Sequence, residues 1–382
     1  MLTLFISPEI ICQDKIGWDY SWPRKNEEEA GYKRILRIKY RTLFKSTDHT
    51  DTYHHHPSIA YYNNMLFTSW SSSKKDEDAS GQHIWFSLAE SEEGKSWTAP
   101  EVLFPPQDSV RARERGHTGR GLTPLTFCEI DNSVYAVAAV HDWTIDEERI
   151  GRGRIARSIN ASGELGDIFW LDADAPEPIS GFSEYWPADQ SEYTTLVNKI
   201  NNWLSDPMNS PAWDFKNNNT DPTAFDGHKM CERTKAVILA NGNYLRMYRD
   251  CSRRLRNYVQ ISEDSGATWD LARSTNIPDS NSKTYLGMFQ DSTIYMINNA
   301  VDELWRRDPL SISILNNRNE FDWVGNIKYD APKVRFEGAH KGPGFQYPSA
   351  VTTEKYLWVI YSVGKEDIEV ARVPLSSLPN YR

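Results

Sequence analysis

The sequence has few cysteines and no long apolar run, and these absences exclude several classes of protein. Its four cysteines show no C-x-x-C spacing, so a structural zinc site is not expected. No apolar stretch reaches the ~18 residues of a membrane-spanning helix, and no membrane partner is predicted. The first residues also lack the basic region and long apolar core of a signal peptide. The location therefore stays open: secreted or periplasmic if a signal peptide was trimmed, and otherwise cytoplasmic.

Basic residues are outnumbered: 43 Lys and Arg stand against 53 Asp and Glu, which gives a net charge of -10. Because nucleic-acid binders carry a basic surplus, no nucleic-acid partner is predicted. Arginine is nevertheless concentrated locally, with four in residues 111–120 and five in residues 246–256. With Arg306 and Arg307, these clusters predict a basic funnel that would steer an acidic ligand.

Aromatic residues are plentiful, at 12% of the chain, and they occur in short runs rich in β-branched residues. Examples are residues 65–70 (M-L-F-T-S-W) and residues 356–363 (Y-L-W-V-I-Y-S-V). Polar pairs such as Asn63-Asn64 separate many of these runs, and two strand-like runs around such a pair indicate a β-hairpin. The recurrence of this pattern predicts an all-β fold.

One stretch departs from the hairpin pattern. Residues 172–227 are rich in Pro, Asn and Asp, and are expected to form a long insertion. Within it, residues 192–205 carry apolar side chains at a 3.6-residue period, which predicts a helix. No Pro/Ser linker divides the chain, so residues 1–382 are predicted to be one domain.

A short repeat gives the most specific structural signal. Residues 262–269 read S-E-D-S-G-A-T-W, a complete Asp-box, and residues 90–97 (E-S-E-E-G-K-S-W) fit the same frame. In such a turn Asp264 caps backbone amides, Gly266 takes a conformation that other residues resist, and Trp269 packs beneath. The motif indicates propeller blades and says little about chemistry.

With these boxes, the runs at residues 275–283 and 344–351 make the chain resemble the sialidase-like β-propeller superfamily over about residues 50–375. The resemblance implies a β-propeller, and the chain length suits seven blades of ~50 residues, or six with insertions.

The likeness breaks at the first blade. Sialidases bind a substrate carboxylate through three arginines, the first from an R-I-P motif, whereas residues 56–59 here read H-P-S-I. The H-H-P pattern resembles instead a branch of propeller polysaccharide lyases and of enzymes acting on rhamnose–glucuronate linkages. Through that resemblance the predicted catalytic residues are His117, His141 and Arg249, together with Tyr347, which falls where sialidases carry their nucleophile.

These four residues supply the chemical groups that a lyase needs. Arginine neutralises the carboxylate of a uronate and so stabilises the enolate-like intermediate, while a neutral His or ionised Tyr takes the C5 proton. The predicted function is therefore a lyase that cleaves an acidic polysaccharide of the ulvan or rhamnose–glucuronate type by β-elimination. The predicted substrate-binding residues are His55, His56, Arg120, Arg246, Arg307 and Lys341.

Two other functions stay open. An exo-glycosidase of sialidase-like or α-L-rhamnosidase type would need two carboxylates or a Tyr/Glu pair, and its candidate carboxylates are Glu232, Asp250, Asp226 and Glu366. A non-catalytic glycan-binding propeller is the third reading. In each case the expected partner is an acidic oligo- or polysaccharide and a monomer is expected. No cofactor is required, although a structural metal such as calcium would be compatible.

The sequence also bears on two local arrangements, that of the three histidines on their strand and that of Cys231 and Cys251. Adjacent side chains on a strand point to opposite faces, so His54 and His56 are expected on one face and His55 on the other. That alternation argues against a metal site made from the three histidines alone. Cys231 and Cys251 either meet across neighbouring strands or stay as buried thiols.

Overall fold

The computed structural model describes residues 15–77, 79–107, 119–143, 149–172, 190–210, 224, 226–227 and 230–379. Within these residues the chain is almost entirely β-structure, as predicted, with a single α-helix. None of its helices is long and apolar enough to cross a membrane, among the residues described.

The strands follow one another in chain order as blades of a propeller. The first three are outer strands: β1 (Gly17–Trp18), β2 (Lys33–Arg34) and β3 (Lys39–Phe44). Blade one consists of β4 (Tyr53–Tyr62), β5 (Met65–Ser73), β6 (His83–Ala89) and β7 (Glu101–Phe104). Blade two consists of β8 (Gly119–Ile130), β9 (Ser133–Trp143), β10 (Arg149–Ile159) and β11 (Leu165–Trp170).

The remaining blades come after the insertion. Blade three consists of β12 (Met230–Arg233), β13 (Val237–Ile238), β14 (Tyr244–Asp250), β15 (Arg256–Ser262) and β16 (Arg273–Pro278). Blade four consists of β17 (Tyr285–Met288), β18 (Ile294–Asn298), β19 (Leu310–Leu315) and β20 (Glu320–Lys328), which also pairs with β1 and β2. Blade five consists of β21 (Phe345–Thr352), β22 (Tyr356–Val363) and β23 (Asp367–Pro374), with β3 at its outer edge.

The described strands thus form five sheets, and the prediction of seven blades, or six, is wrong. That prediction divided the chain length by ~50 residues per blade. The residues before β4, however, supply only outer strands to other blades, and the described residues between β11 and β12 add no strand. Length therefore overstates the number of blades.

Apolar side chains fill the spaces between neighbouring blades. One cluster joins blades one and two, and others join three with four, four with five, and five with one. The last closes the ring by packing Trp70 of β5 with Trp358 of β22. Among the described residues no such cluster joins blades two and three. The inner strands of the five blades are β4, β8, β12, β17 and β21.

The predicted hairpin turns are confirmed where the structure shows them. Asn63 and Asn64 both have positive φ angles, as the tight two-residue turn between β4 and β5 requires. Both Asp-boxes lie between the last two strands of their blades, and in each the tryptophan indole donates to the glycine carbonyl at 3.1 Å (Trp269 to Gly266, Trp97 to Gly94). Asp264 accepts from the Thr268 amide at 2.8 Å, as predicted.

The predicted helix is present as α1 (Gln190–Ser205). Its Ile200 and Leu204 pack against Cys128 and Val137 of blade two, which explains the apolar period. Much of the predicted insertion, residues 173–189 and 211–223, lies outside the described residues.

Candidate active site

Three inner strands are interrupted by β-bulges at the same end of the propeller. The bulged residues are His56 on β4, Glu232 on β12 and Tyr347 on β21, and their φ angles are 53°, 49° and 54°. Left-handed backbone is costly for residues other than glycine, and such strain concentrates at functional sites. The bulges turn the three side chains toward one another.

Tyr347 and Glu232 form the centre of the site. The Tyr347 hydroxyl donates to Glu232 Oε1 at 3.1 Å, although the two residues are 115 positions apart. Arg249 Nη1 donates to the Tyr347 hydroxyl at 3.0 Å and to Glu232 Oε2 at 3.1 Å. The phenol therefore lies between a carboxylate and a guanidinium.

The protonation of this pair follows from its surroundings. Burial raises the pKa of the Tyr347 phenol, and Glu232 raises it further, so the tyrosine is neutral. Burial alone would raise the pKa of Glu232, but the charges of Arg249 and Lys283 outweigh it and lower that pKa. An ionised carboxylate thus accepts a hydrogen bond from a neutral phenol, which is the arrangement of a base and the proton it would take.

Arg249 is fixed at the end of β14. Its Nε donates to Asn281 Oδ1 at 2.7 Å, on the opposite side from Glu232. Burial alone would lower the pKa of Arg249, yet Tyr347 and Glu232 raise it, so the guanidinium stays charged. The chain thereby holds one arginine rigidly against the tyrosine hydroxyl.

Further positive charge faces the same ring. The Arg307 guanidinium and the Lys283 ammonium each lie 5.6 Å from the Tyr347 ring centroid. Arg307 also donates to the Gln346 side chain. With Arg249, three cations therefore surround Tyr347, which favours an anionic ligand.

The histidine triplet does not alternate as predicted. The rings of His55 and His56 lie 4.6 Å apart, and their centroids lie 4.1 Å and 5.5 Å from that of Tyr347. His54 instead packs against Phe44, with ring centroids 4.1 Å apart. The expectation that His54 and His56 share a face is wrong because the bulge between His55 and Ser58 breaks the two-residue period.

Glu77 and Lys365 complete this side of the site. His56 Nε2 lies 3.2 Å from Glu77 Oε1, and Lys365 donates to Glu77 Oε2. Burial alone would raise the pKa of Glu77, but Lys365 and the two histidines hold it well below its usual range. Sequence reasoning missed Glu77, Lys365 and Lys283, because isolated charged residues in turns carry no motif.

Of the residues predicted for the site, the structure brings together Arg249, Tyr347, His55, His56 and Arg307. The others contact different parts of the propeller. His141 packs edge-on against Trp143 in blade two, and Arg120 is paired with Asp142 at 2.7 Å. Their assigned roles remain predictions, and His117 lies outside the described residues.

Arg246 and Lys341, two of the predicted substrate-binding residues, contact other parts of the propeller. Arg246 stacks over the Asp-box Trp269, with its guanidinium carbon 3.9 Å from the ring centroid. Lys341 donates to the Thr52 carbonyl at 2.8 Å and lies 4.0 Å from Glu366.

Among the four candidate carboxylates, only Glu232 hydrogen-bonds to Tyr347 in the part of the chain described. Asp250 accepts from the Ser252 amide at 2.8 Å, and Glu366 accepts from the amides of Arg335 and Phe336. Asp226 is paired with Arg254 at 2.8 Å. These three carboxylates are turn caps or ion-pair partners in the structure.

A disulfide supports the centre of the site. Cys231 and Cys251 are bonded, so of the two alternatives left open by the sequence the cross-strand pairing is the one observed. The bond joins the residue before Glu232 to the end of β14, two residues beyond Arg249. It therefore restrains the two strands that carry Glu232 and Arg249.

A cavity of about 290 Å³ borders this cluster along the inner strands. Its lining includes His56 and Lys283 near the cluster, and Lys235 and Trp203 farther along. The cavity therefore lies next to His56 and Lys283, and Tyr347, Glu232 and Arg249 are not among its lining residues.

The buried carboxyl of Asp279, which accepts a hydrogen bond from the residue after Arg249, predicts that the stability of the fold depends on pH. Asp279 accepts from the amides of Asp250 and Ser282 at 2.9 and 3.1 Å, yet burial raises the pKa of its carboxyl to about 6. Between pH 4 and 6 the folded protein therefore binds more protons here than the unfolded chain, so the stability from this group falls as pH rises.

Asp279→Asn removes that titration. We expect the difference in unfolding free energy, variant minus wild type, to increase by up to about 3 kcal/mol between pH 4 and pH 7. Denaturant unfolding of both proteins at each pH measures it, and a difference that does not change with pH would contradict it.

Comparisons with known proteins agree with the geometry. Residues 201–359 match the model of a BNR repeat-like domain, and residues 31–122 match a BT_1020-like N-terminal β-propeller. No curated protein matches the chain in sequence. A solved sialidase superposes with a TM-score of 0.72 at 20% identity, over 95% of this chain and 35% of its own.

In fold the chain resembles the sialidase-like β-propellers. It spans about a third of the length of that sialidase, so the likeness concerns the propeller fold. Two further structures resemble it less closely: a leech intramolecular trans-sialidase (TM-score 0.56, 10% identity, 91% of this chain and 72% of that one) and a Dyadobacter fermentans protein of unknown function (0.52, 11%, 89% and 100%). The predicted nearness of this sialidase-like propeller to lyases gains no support from these matches.

Proposed function

We propose that this sialidase-like propeller is a glycoside hydrolase that removes a carboxylate-bearing sugar from the end of a glycan. The observation that carries the proposal is the hydrogen bond from the Tyr347 hydroxyl to Glu232, with Arg249 bonded to both. A Tyr/Glu pair is the set that the glycosidase alternative requires, and solved sialidases share the fold.

In the first step, the Tyr347 oxygen attacks the anomeric carbon while its proton passes to Glu232. The bond to the leaving oxygen breaks, and that oxygen takes a proton from solvent as the glycan departs. In the second step, water attacks the anomeric carbon and loses one proton to solvent, the bond to Tyr347 breaks, and Glu232 returns its proton to the phenolate. A neutral phenol suits this role because it does not repel a substrate carboxylate as an ionised nucleophile would.

Arg249, Arg307 and Lys283 would hold that carboxylate. Their charges all face the Tyr347 ring. Since these groups are already ordered in the folded protein, the substrate meets a preorganised cationic site.

The predicted lyase remains a second candidate because His55, Arg249 and Tyr347 meet at one site. His55 contacts the Tyr347 ring and burial holds its pKa well below the usual value, so it is a neutral base. The two activities leave different products: the hydrolase releases a saturated sugar, and the lyase an unsaturated uronate that absorbs in the ultraviolet.

The test is a panel of umbelliferyl glycosides of sialic acid, related 2-keto sugar acids and glucuronic acid, with neutral sugars as controls, beside ulvan and other acidic polysaccharides. Fluorescence release from an acidic glycoside only, with a fluorinated analogue trapped on Tyr347 in a peptide map, would support the proposal. Ultraviolet absorbance without released fluorophore would select the lyase. Binding with no turnover on any substrate would favour the glycan-binding propeller.

A further inference from the structure

His55, His56 and Glu77 form a cluster that the proposed hydrolysis does not use. One ligand atom from each of the three lies within 4.8 Å of the others, next to the Tyr347 ring. The bulge at His56 makes this convergence feasible, because it turns two consecutive histidines toward the same space.

The hydrogen bonds of the two imidazoles indicate where their lone pairs point. Ser71 donates its only hydroxyl proton to the His55 carbonyl at 2.9 Å, so its oxygen accepts from His56 Nδ1, also at 2.9 Å. Ser362 likewise donates to the Gln346 carbonyl at 3.4 Å and accepts from His55 Nδ1 at 2.7 Å. In its neutral form each ring therefore carries its proton on Nδ1 and a lone pair on Nε2.

The surroundings of the two Nε2 atoms are unfavourable for neutral lone pairs. His56 Nε2 points at the Glu77 carboxylate 3.2 Å away, which a neutral lone pair would repel. His55 Nε2 is fully buried and has no hydrogen-bond partner within the residues described. A cation between the three groups removes both conflicts at once, whereas a proton on His56 removes only the first.

We propose that His55 Nε2, His56 Nε2 and Glu77 Oε1 bind a divalent transition-metal ion such as Zn²⁺. Two imidazoles and one carboxylate are a ligand set that Zn²⁺ favours, and oxygen-preferring Ca²⁺ and Mg²⁺ do not. The Ser362 and Ser71 hydroxyls orient the rings in the way outer hydrogen bonds orient metal-bound histidines.

The surroundings suit a metal that keeps an open position. Zn²⁺ lies about 2.1 Å from such ligands, so the three side chains need to approach by no more than about 1 Å. Lys365 occupies the other oxygen of Glu77 and leaves Oε1 toward the imidazoles. A bound ion would add positive charge beside Arg307, where an anionic ligand could complete its coordination.

The test is zinc binding by the purified protein, which needs no substrate. Metal analysis after incubation with ZnCl₂ and desalting is expected to give one Zn²⁺ per chain, and Co²⁺ to give a visible ligand-field spectrum. We expect His55→Ala and Glu77→Gln to weaken Zn²⁺ binding at least 100-fold, and Ser362→Ala to weaken it about 10- to 100-fold. CaCl₂ and MgCl₂ should not compete.

Two variants serve as matched controls. His54→Ala removes the adjacent buried histidine that packs on Phe44, and His340→Ala removes an exposed one paired with Asp76. Both should bind Zn²⁺ as wild type does, and circular dichroism checks that each variant is folded. The proposal is overturned if wild type binds no Zn²⁺, if His55→Ala and Glu77→Gln bind it normally, or if nitrogen NMR shows His56 protonated on both nitrogens in the presence of ZnCl₂.

Discussion

Replacing Tyr347 with phenylalanine is expected to lower kcat on the best acidic glycoside by about 10³-fold or more, since it removes the attacking oxygen. The loss should appear in kcat more than in KM, because Arg249, Arg307 and Lys283 still hold the substrate. The aromatic ring remains in contact with His55, so the variant should fold. Initial rates measured over a range of substrate concentrations separate the two constants.

Tyr361→Phe is the matched control. Tyr361 is fully buried and its hydroxyl also donates to a glutamate, Glu369, but at the outer part of blade five. It should retain nearly full activity after the same chemical change. If Tyr347→Phe keeps more than about a tenth of wild-type kcat, the tyrosine is not the nucleophile.

Replacing Arg249 with alanine is expected to reduce both stability and activity. Removing one partner of a buried ion pair leaves an uncompensated charge on Glu232, which costs about 3–5 kcal/mol of unfolding free energy. Among active molecules, kcat/KM should fall about 10²- to 10³-fold because the site loses its bridging guanidinium. Denaturant unfolding and steady-state kinetics measure the two effects separately.

Arg249→Lys distinguishes charge from shape. A lysine keeps the charge near Glu232 and should restore most of the stability, but it cannot bridge Tyr347, Glu232 and Asn281 in one plane. Activity should therefore stay low. Arg246→Lys, on the same strand but stacked over Trp269, should stay within a few-fold of wild type, and equal losses in the two lysine variants would contradict this role for Arg249.

Local features of this fold could be predicted because they depend on neighbouring residues. The Asp-box at 262–269 needs only a short turn, and α1 needs only a period of apolar side chains. The number of blades could not be predicted in the same way, since β3 reaches blade five from the other end of the sequence.

The candidate site was predictable in part for a similar reason. Arg249 and Tyr347 could be chosen because they match positions in a known family. Glu232 could be named only as one carboxylate among four, because its contact with Tyr347 spans 115 residues and depends on two bulges. The convergence of His55 and His56 was missed since a regular strand would separate them.

The pairing of β3 with β23 also bears on how the chain is made. During synthesis β3 leaves the ribosome more than 300 residues before its partner, so blade five cannot assemble until β23 has been made. Until then the nascent chain exposes the unpaired edge of β3 and the apolar flank of blade one that packs on blade five, a state prone to aggregation. Tyr347 lies on β21 of that same last blade, so the catalytic cluster comes together only when the ring closes.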